Sequence, residues 1–120
     1  MTAGAARFVV QEHHTEPLHW DLMIERDGAL ATWALESEPP AGAFEMAARR
    51  LPDHRLAYLE KEGEVSGGRG WTRLWDGGVC EAAWQEQRVD LELRGRRLSG
   101  RFILEPTGRA EEGTWTFRRI

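Results

Sequence analysis

The sequence has little of several things that define other classes of protein. Its 120 residues include one cysteine, Cys80, which excludes an internal disulfide and any metal site built from several thiolates. We expect Cys80 to be a small core side chain. No apolar run is long enough to span a bilayer, and the N-terminus lacks the regions of a signal peptide. These absences predict a cytoplasmic protein without a membrane segment, whose metal ligands are histidine and carboxylate.

Positive charge is also scarce. The net charge is −4, and Lys61 is the only lysine among 16 basic residues. Coating nucleic acid through bulk electrostatics needs many clustered cations, so the composition argues against that class and leaves room only for a small basic patch. The glycine-rich stretch 66–70, SGGRG, lacks the GK[ST] end of a P-loop but lets the backbone approach a ligand or a strand closely.

The chain length predicts one domain, residues 1–120, around one core. Short alternating segments separated by turn signals indicate an all-β, mainly antiparallel barrel or sandwich. Strands are predicted at 7–11, 18–26, 29–35, 71–76, 79–87, 88–94, 98–106 and 114–120, with turns at Asp27-Gly28, Asp76–Gly78 and Gly95–Arg97 and a loop at 107–113. Residues 43–51 are compatible with either a helix or an edge strand.

The densest chemistry lies in residues 11–21, QEHHTEPLHWD, which hold three of the four histidines and an aspartate. In a strand that begins at Leu18, period-two alternation places His19 and Asp21 on one face and Trp20 on the core face. His13 can reach the same face from the end of the preceding strand. Two imidazoles and a carboxylate can hold Mn²⁺, Zn²⁺ or Fe²⁺, although the HxD pair alone is a weak signal.

Several strings of the sequence, in their order, resemble one known family. QxH is followed six residues later by HxD and then by DHxLxY, and SGGRG, LRGRRLSGRFIL and TWTFRRI lie further on. This set resembles the 3′-phosphoesterase module of bacterial DNA ligase D and its stand-alone relatives. The resemblance implies a compact β-barrel with little helix and a metal-dependent reaction, with manganese preferred, that trims DNA or RNA 3′ ends, including removal of a 3′-phosphate.

The resemblance also implies roles for single residues. His13, His19 and Asp21 correspond to the family's metal ligands, and Gln11 lies just upstream at a position that we assign to substrate binding. His14 is then a bystander, because neighbours on a strand face opposite ways. His54 corresponds to the histidine that contacts the scissile phosphate, and Tyr58 to the hydroxyl that supports it.

Two departures from the family pattern remove phosphate-binding cations. Met23 stands two residues after the metal-binding aspartate, where the family has an arginine, and the family's lysine after the strand tryptophan has no counterpart among residues 36–38. A thioether cannot bind phosphate, and the acids at 36 and 38 repel it. Arg50 and Arg69 are the candidates for the missing cation.

Three hypotheses follow. The first is a stand-alone Mn²⁺-dependent 3′-end phosphoesterase in DNA repair, with ligase and polymerase supplied by separate proteins. The second is a catalytically impaired module that binds a metal or a nucleic-acid end. The third, ranked last, is a non-haem Fe(II) oxygenase using His19, Asp21 and His54, which leaves His13 and Tyr58 without a role.

Overall fold

Nine β-strands form most of residues 4–108 and 113–120, the parts of the chain that this computed structural model describes. The strands are β1 Gly4–His14, β2 His19–Arg26, β3 Ala29–Leu35, β4 Glu45–His54, β5 Gly63–Glu64, β6 Trp71–Gln85, β7 Arg88–Arg94, β8 Ser99–Pro106 and β9 Thr114–Arg119. The only helical element in the described residues is the short 3₁₀ helix Leu56–Leu59. The all-β prediction with little helix is therefore confirmed.

The sheet closes into an antiparallel barrel. Eight strands follow one another in the order β1-β2-β3-β4-β9-β8-β7-β6, and β6 pairs with β1 again, while the short β5 extends the sheet at the end of β6. Closure gives every barrel strand two neighbours, so no long edge is left open.

Alternation along the strands divides the side chains between two faces. The interior holds one large apolar cluster, with residues such as Leu22, Ile24, Trp33 and Phe102 almost completely buried, and Cys80 lies in it as expected. Trp20 packs against this cluster from the periphery, which confirms its predicted orientation. Burial of such side chains stabilises the fold by about 1.5–3 kcal/mol each.

A second, smaller apolar cluster lies on the outer face of the barrel. Val9, Met23 and Leu30 are each no more than 2% exposed, and the segment after β4 covers them through Leu56, Tyr58 and Leu59. The 3₁₀ helix is therefore held against the outside of β1, β2 and β3.

Two local predictions differ from the structure. The predicted turn at Asp76–Gly78 is wrong: the strand runs on through both glycines, because β6 pairs there with β1 and then with β7. The Asp76 carboxylate instead accepts backbone hydrogen bonds from Arg96, Arg97 and Leu98 in the turn between β7 and β8. The first strand also extends past Gln11 to His14.

Other predictions concern less regular parts of the chain. The ambiguous stretch 43–51 contributes to strand β4 rather than to a helix. Most of the loop predicted at 107–113 lies outside the described residues. In the part of the chain that is described, no helix is long and apolar enough to cross a membrane.

Candidate metal centre

Antiparallel pairing of β1 with β2 brings the two histidines and the aspartate together. His13 is the register partner of His19, and Gln11 is the partner of Asp21. Cross-strand partners point to the same face of a sheet, so the alternation that separates His13 from His14 also gathers His13, His19 and Asp21 on the outer face. In the described residues this is the only group of three or more such side chains spaced closely enough to hold a metal ion.

The donor atoms of this cluster converge on one point. His13 Nδ1 lies 3.2 Å from His19 Nε2 and 3.2 Å from Asp21 Oδ2, and His19 Nε2 lies 3.1 Å from Asp21 Oδ1. All three ligand atoms lie within 4.8 Å of one another. Ligands bound at about 2.1 Å to a single ion are separated by about 3 Å, so the set has the spacing of one coordination sphere.

The opposite edge of each imidazole is fixed by a backbone carbonyl. His13 Nε2 donates to Arg69 O at 2.8 Å, and His19 Nδ1 donates to Pro17 O at 3.0 Å. These bonds select the tautomers in which His13 Nδ1 and His19 Nε2 carry lone pairs. In the neutral rings, two lone pairs and a carboxylate then face one another, an arrangement that a bound cation stabilises; outer hydrogen bonds of this kind are typical of metal-bound histidines.

The burial and the charges of these side chains are compatible with a bound cation. Asp21 is only 3% exposed, and its Oδ1 makes no hydrogen bond, since the contact with His19 lacks hydrogen-bond geometry. Burial by itself raises the pKa of Asp21, but the hydrogen bond from protonated His13 and the positive charges of both histidines outweigh it, and the pKa lies below its ordinary value. The close contact with the Asp21 carboxylate raises the pKa of His13 and of His19 more than burial lowers it. The donor set fits a divalent cation.

The SGGRG segment, residues 66–70, supplies one of the two backbone carbonyls that fix the imidazoles. Gly70 has φ +79° and packs so closely on the His14 carbonyl that any side chain at this position would collide with it. This close approach places the Arg69 carbonyl beside His13, as the glycines predicted. The Arg69 guanidinium itself turns away from the cluster and donates to Ser66 O and Oγ.

His14 is on the other side of its strand, as expected for a bystander. Its ring stacks on Trp71 with centroids 3.9 Å apart, and its Nε2 contacts Glu12 at 2.5 Å. Trp71 is 43% exposed, so this pair lies at the surface.

His54 and Tyr58 form a separate pair on the same outer face. Their rings meet edge to face at 5.2 Å, and His54 Nδ1 donates to Pro52 O. The register pairs His54 with Leu30, which pairs in turn with Glu25, four residues along β2 from Asp21. The structure therefore does not bring His54 into contact with the metal centre, and the His19–Asp21–His54 triad of the oxygenase hypothesis is not assembled.

Gln11 is fully buried beneath the segment that carries Tyr58. Its Nε2 donates to Tyr58 O at 2.7 Å and to Lys61 O at 2.8 Å. The side chain therefore holds this segment against β1 and does not face the open surface where a substrate would lie.

The two cations named from the sequence do not reach the cluster either. The Arg50 guanidinium lies over the Trp33 ring, 4.7 Å from its centroid, and donates to Thr32 O and Leu51 O on the inward side of β4. Met23, where the family has arginine, is 1% exposed under Tyr58 and Leu59. The position next to Asp21 on this strand face is a packed apolar site.

Sequence reasoning missed one cation on the correct face. Arg49 is exposed, points outward from β4, and lies near enough for its charge to oppose protonation of His19. Because the sequence left 43–51 open between helix and strand, no face could be assigned to Arg49.

Comparison with known proteins gives a consistent answer. A family model described as the DNA ligase D 3′-phosphoesterase domain matches residues 11–105. The multifunctional non-homologous end joining protein LigD of Mycobacterium bovis is 33% identical over 87% of this chain, and those of Mycolicibacterium smegmatis and Pseudomonas aeruginosa are 32% and 33% identical over 88% and 95% of it. The chain spans only 15%, 16% and 15% of those proteins, respectively. The matched region contains His13, His19 and Asp21, and the chain belongs to the DNA ligase D 3′-phosphoesterase domain family.

Proposed function

We propose that this chain is a Mn²⁺-dependent phosphoesterase that removes a 3′-phosphate or a 3′-terminal ribonucleotide from DNA or RNA ends. The observation that carries the proposal is the convergence of His13 Nδ1, His19 Nε2 and an Asp21 oxygen, with the outer nitrogen of each ring bonded to a backbone carbonyl. Zn²⁺ or another divalent ion is compatible with the same donors.

In this proposal His13, His19 and Asp21 hold the metal, and the pocket of backbone carbonyls keeps both rings in the ligating orientation. A bound divalent ion supplies Lewis-acid polarisation of the phosphate and a water of lowered pKa. Burial of Asp21 keeps its negative charge directed at the ion rather than at solvent.

His54 and Tyr58 act from the neighbouring part of the same face. The bond from His54 Nδ1 to Pro52 O leaves Nε2 available, and a protonated Nε2 can donate to a phosphate oxygen or to the leaving oxygen. Tyr58 limits the movement of the ring through its edge-to-face contact. Gln11 positions this pair by anchoring the backbone at Tyr58 and Lys61.

The printed names of the relatives suggest the setting. They describe proteins of non-homologous end joining, so we propose that the ends of DNA or RNA strands are the substrates, that the reaction serves break repair in the cytoplasm, and that ligase and polymerase activities come from separate proteins.

The burial of Met23 favours a second candidate, a module that binds a metal and a nucleic-acid end but has weak activity. The arginine that would bind phosphate at this position is replaced by a side chain packed under Tyr58. The two candidates differ in turnover and share the metal centre.

Incubation of the purified protein with Mn²⁺ and a primer-template ending in a 3′-phosphate, or in one ribonucleotide, tests the first candidate. His19→Ala and Asp21→Ala serve as controls. We expect Mn²⁺-dependent release of phosphate or nucleoside by the wild type alone. Equal product from wild type and controls, with Mn²⁺ bound only by the wild type, would support the second candidate instead.

A further inference from the structure

A single row of register partners connects the metal centre to Arg49. Asp21 pairs with Ala34, Ala34 pairs with Arg49, and Arg49 pairs with Thr114, so the row crosses β2, β3, β4 and β9. Partners in such a row share a face, and Ala48 on the opposite face is buried in the barrel core. Arg49 therefore points outward on the same face as Asp21.

The residue between Asp21 and Arg49 leaves the space between them open. With strands about 4.8 Å apart, the Cα atoms of residues two strands apart are separated by roughly 10 Å. The side chain at the intervening position is only the methyl group of Ala34. The flexible arginine side chain and the shorter aspartate can thus approach a common ligand from opposite sides.

A groove of about 560 Å³ extends over this row. It begins at His19 and Leu18, passes over Ala34 and Arg49, and continues to Thr114 and Thr116 on β9. This volume is in the range of small-molecule sites and suits one nucleotide better than a long stretch of polymer. His19, one of the three candidate ligands, and Arg49 therefore line the same groove.

The charges along the groove favour one phosphate at the end near the metal. Among residues 4–108 and 113–120, no carboxylate forms an ion pair with Arg49, whereas the neighbouring Arg50 pairs with Asp53. Glu36 and Glu45 line the groove as well, and Glu36 Oε1 accepts a hydrogen bond from the Ala47 backbone. These acids repel a further phosphate, whereas a sugar and base carry no charge that they would oppose.

We propose that Arg49 binds the 3′-terminal phosphate held at the metal centre and that the groove accepts the terminal nucleoside. Arg49 then replaces the arginine that the family has at the position of Met23. The proposal rests on the proposed function for its choice of ligand. Two parallel hydrogen bonds from a guanidinium suit a phosphate better than the single charge of lysine does. Arg49 is then a substrate-binding residue that is not part of the family motifs found in the sequence.

The test measures binding without turnover. Two fluorescent oligonucleotides differ only at the 3′ end: one ends in a hydroxyl, the other in a methylenephosphonate, whose carbon bridge cannot be hydrolysed. Dissociation constants are compared for wild type, Arg49→Ala and Arg49→Lys in Mn²⁺. Arg101→Ala is the matched control, because Arg101 is an exposed outward arginine on β8, outside the groove.

We expect wild type to prefer the phosphonate end and Arg49→Ala to lose roughly tenfold to a hundredfold of that preference. Arg49→Lys should retain part of it, and Arg101→Ala all of it, while Mn²⁺ binding, followed by electron paramagnetic resonance, stays unchanged in each variant. An undiminished preference in Arg49→Ala, an equal loss in Arg101→Ala, or no preference in wild type would overturn the inference.

The outcome separates this inference from the function on which it rests. If wild type fails to hydrolyse a 3′-phosphate but its phosphonate preference depends on Arg49, the site stands and the hydrolase proposal fails. If wild type hydrolyses the 3′-phosphate and Arg49→Ala keeps both preference and rate, the function stands and Arg49 is excluded.

Discussion

Two neighbouring regions of the outer sheet surface, built from the same strands, have opposite character. One holds His13, His19 and Asp21, whose donor atoms converge and of which His19 lines an open groove. The other holds Val9, two residues before Gln11 on β1, and Met23, two residues after Asp21 on β2, both beneath the 3₁₀ helix. The strands alone therefore do not decide which part binds a ligand.

The covering segment after β4 makes the difference. It excludes water from Met23 and leaves the metal centre beside a groove, and Gln11 lies at the boundary with its amide bonded to Tyr58 O and Lys61 O. A single period-two pattern thus produces either a cluster of converging donor atoms or an apolar core site, according to what packs over it. Substitutions in the donor cluster should therefore mainly reduce activity, whereas substitutions in the apolar cluster should mainly reduce stability.

The largest effect is expected from Asp21→Asn, which keeps the size of the side chain and removes its charge. Loss of a residue that only orients a ligand lowers metal affinity about 10–100-fold, so loss of this ligand should reduce Mn²⁺-dependent 3′-phosphate release by more than roughly a hundredfold. Initial rates with a 3′-phosphorylated primer measure it, with circular dichroism as the folding control. A rate within about threefold of wild type would contradict the assignment.

The second-largest effect is expected from Met23→Arg, because it places a charge in the apolar cluster beneath the 3₁₀ helix. Although it restores the family residue, we expect the free energy of unfolding to fall by about 3 kcal/mol, since a charged side chain would enter the packed apolar site formed by Val9, Leu30 and the segment that covers them. Met23→Leu, which conserves volume, should cost less than about 1.5 kcal/mol. Urea unfolding of both variants gives the comparison, and a Met23→Arg protein as stable as wild type would show that this region is open.

Gln11→Ala tests the boundary itself. It removes two hydrogen bonds to backbone carbonyls, and we expect the free energy of unfolding to fall by about 2 kcal/mol, together with reduced turnover from displacement of Tyr58. Proteolysis after Lys61 or Arg55 should become faster if the covering segment is released. Unchanged proteolysis and stability would remove Gln11 from this role.

The smallest effect concerns pH. The pKa values of His13 and His19 are raised in the folded, metal-free protein, so their stabilising contribution is complete below the ordinary value of 6.5 and is lost as the pH rises through the raised values. Metal needs the deprotonated rings, so Mn²⁺ should stabilise the protein more at pH 8 than at about pH 6, by about 1.4 kcal/mol for each tenfold gain in affinity. A larger thermal shift at the lower pH would contradict this assignment of the protons.

The residues show why part of this site could be predicted from the sequence. His19 and Asp21 are two positions apart on one strand, so local alternation sufficed to place them together, and His13 followed from the short connection to the preceding strand. The order of QxH, HxD and DHxLxY was enough to identify the family. These features depend on neighbours in the sequence.

Other features depend on pairing between strands that are far apart in the sequence, and the sequence pattern does not show which strands pair or in what register. Gly77 and Gly78 have the composition of a turn, yet pairing with β1 and β7 keeps them extended. Arg49 and Arg50 are adjacent, and only the register of β4 against β3 shows that Arg49 faces the metal centre and Arg50 the Trp33 ring. The burial of Met23 likewise required the position of the 3₁₀ helix.

Titration of Mn²⁺ followed by electron paramagnetic resonance tests the central claim most directly. The wild-type protein should bind one Mn²⁺ per chain, and Met23→Leu should match it. Single changes of His13, His19 or Asp21 to alanine should each abolish tight binding, whereas His14→Ala should not. Binding that survives all three changes, or that His14→Ala removes, would contradict a metal centre formed by His13, His19 and Asp21.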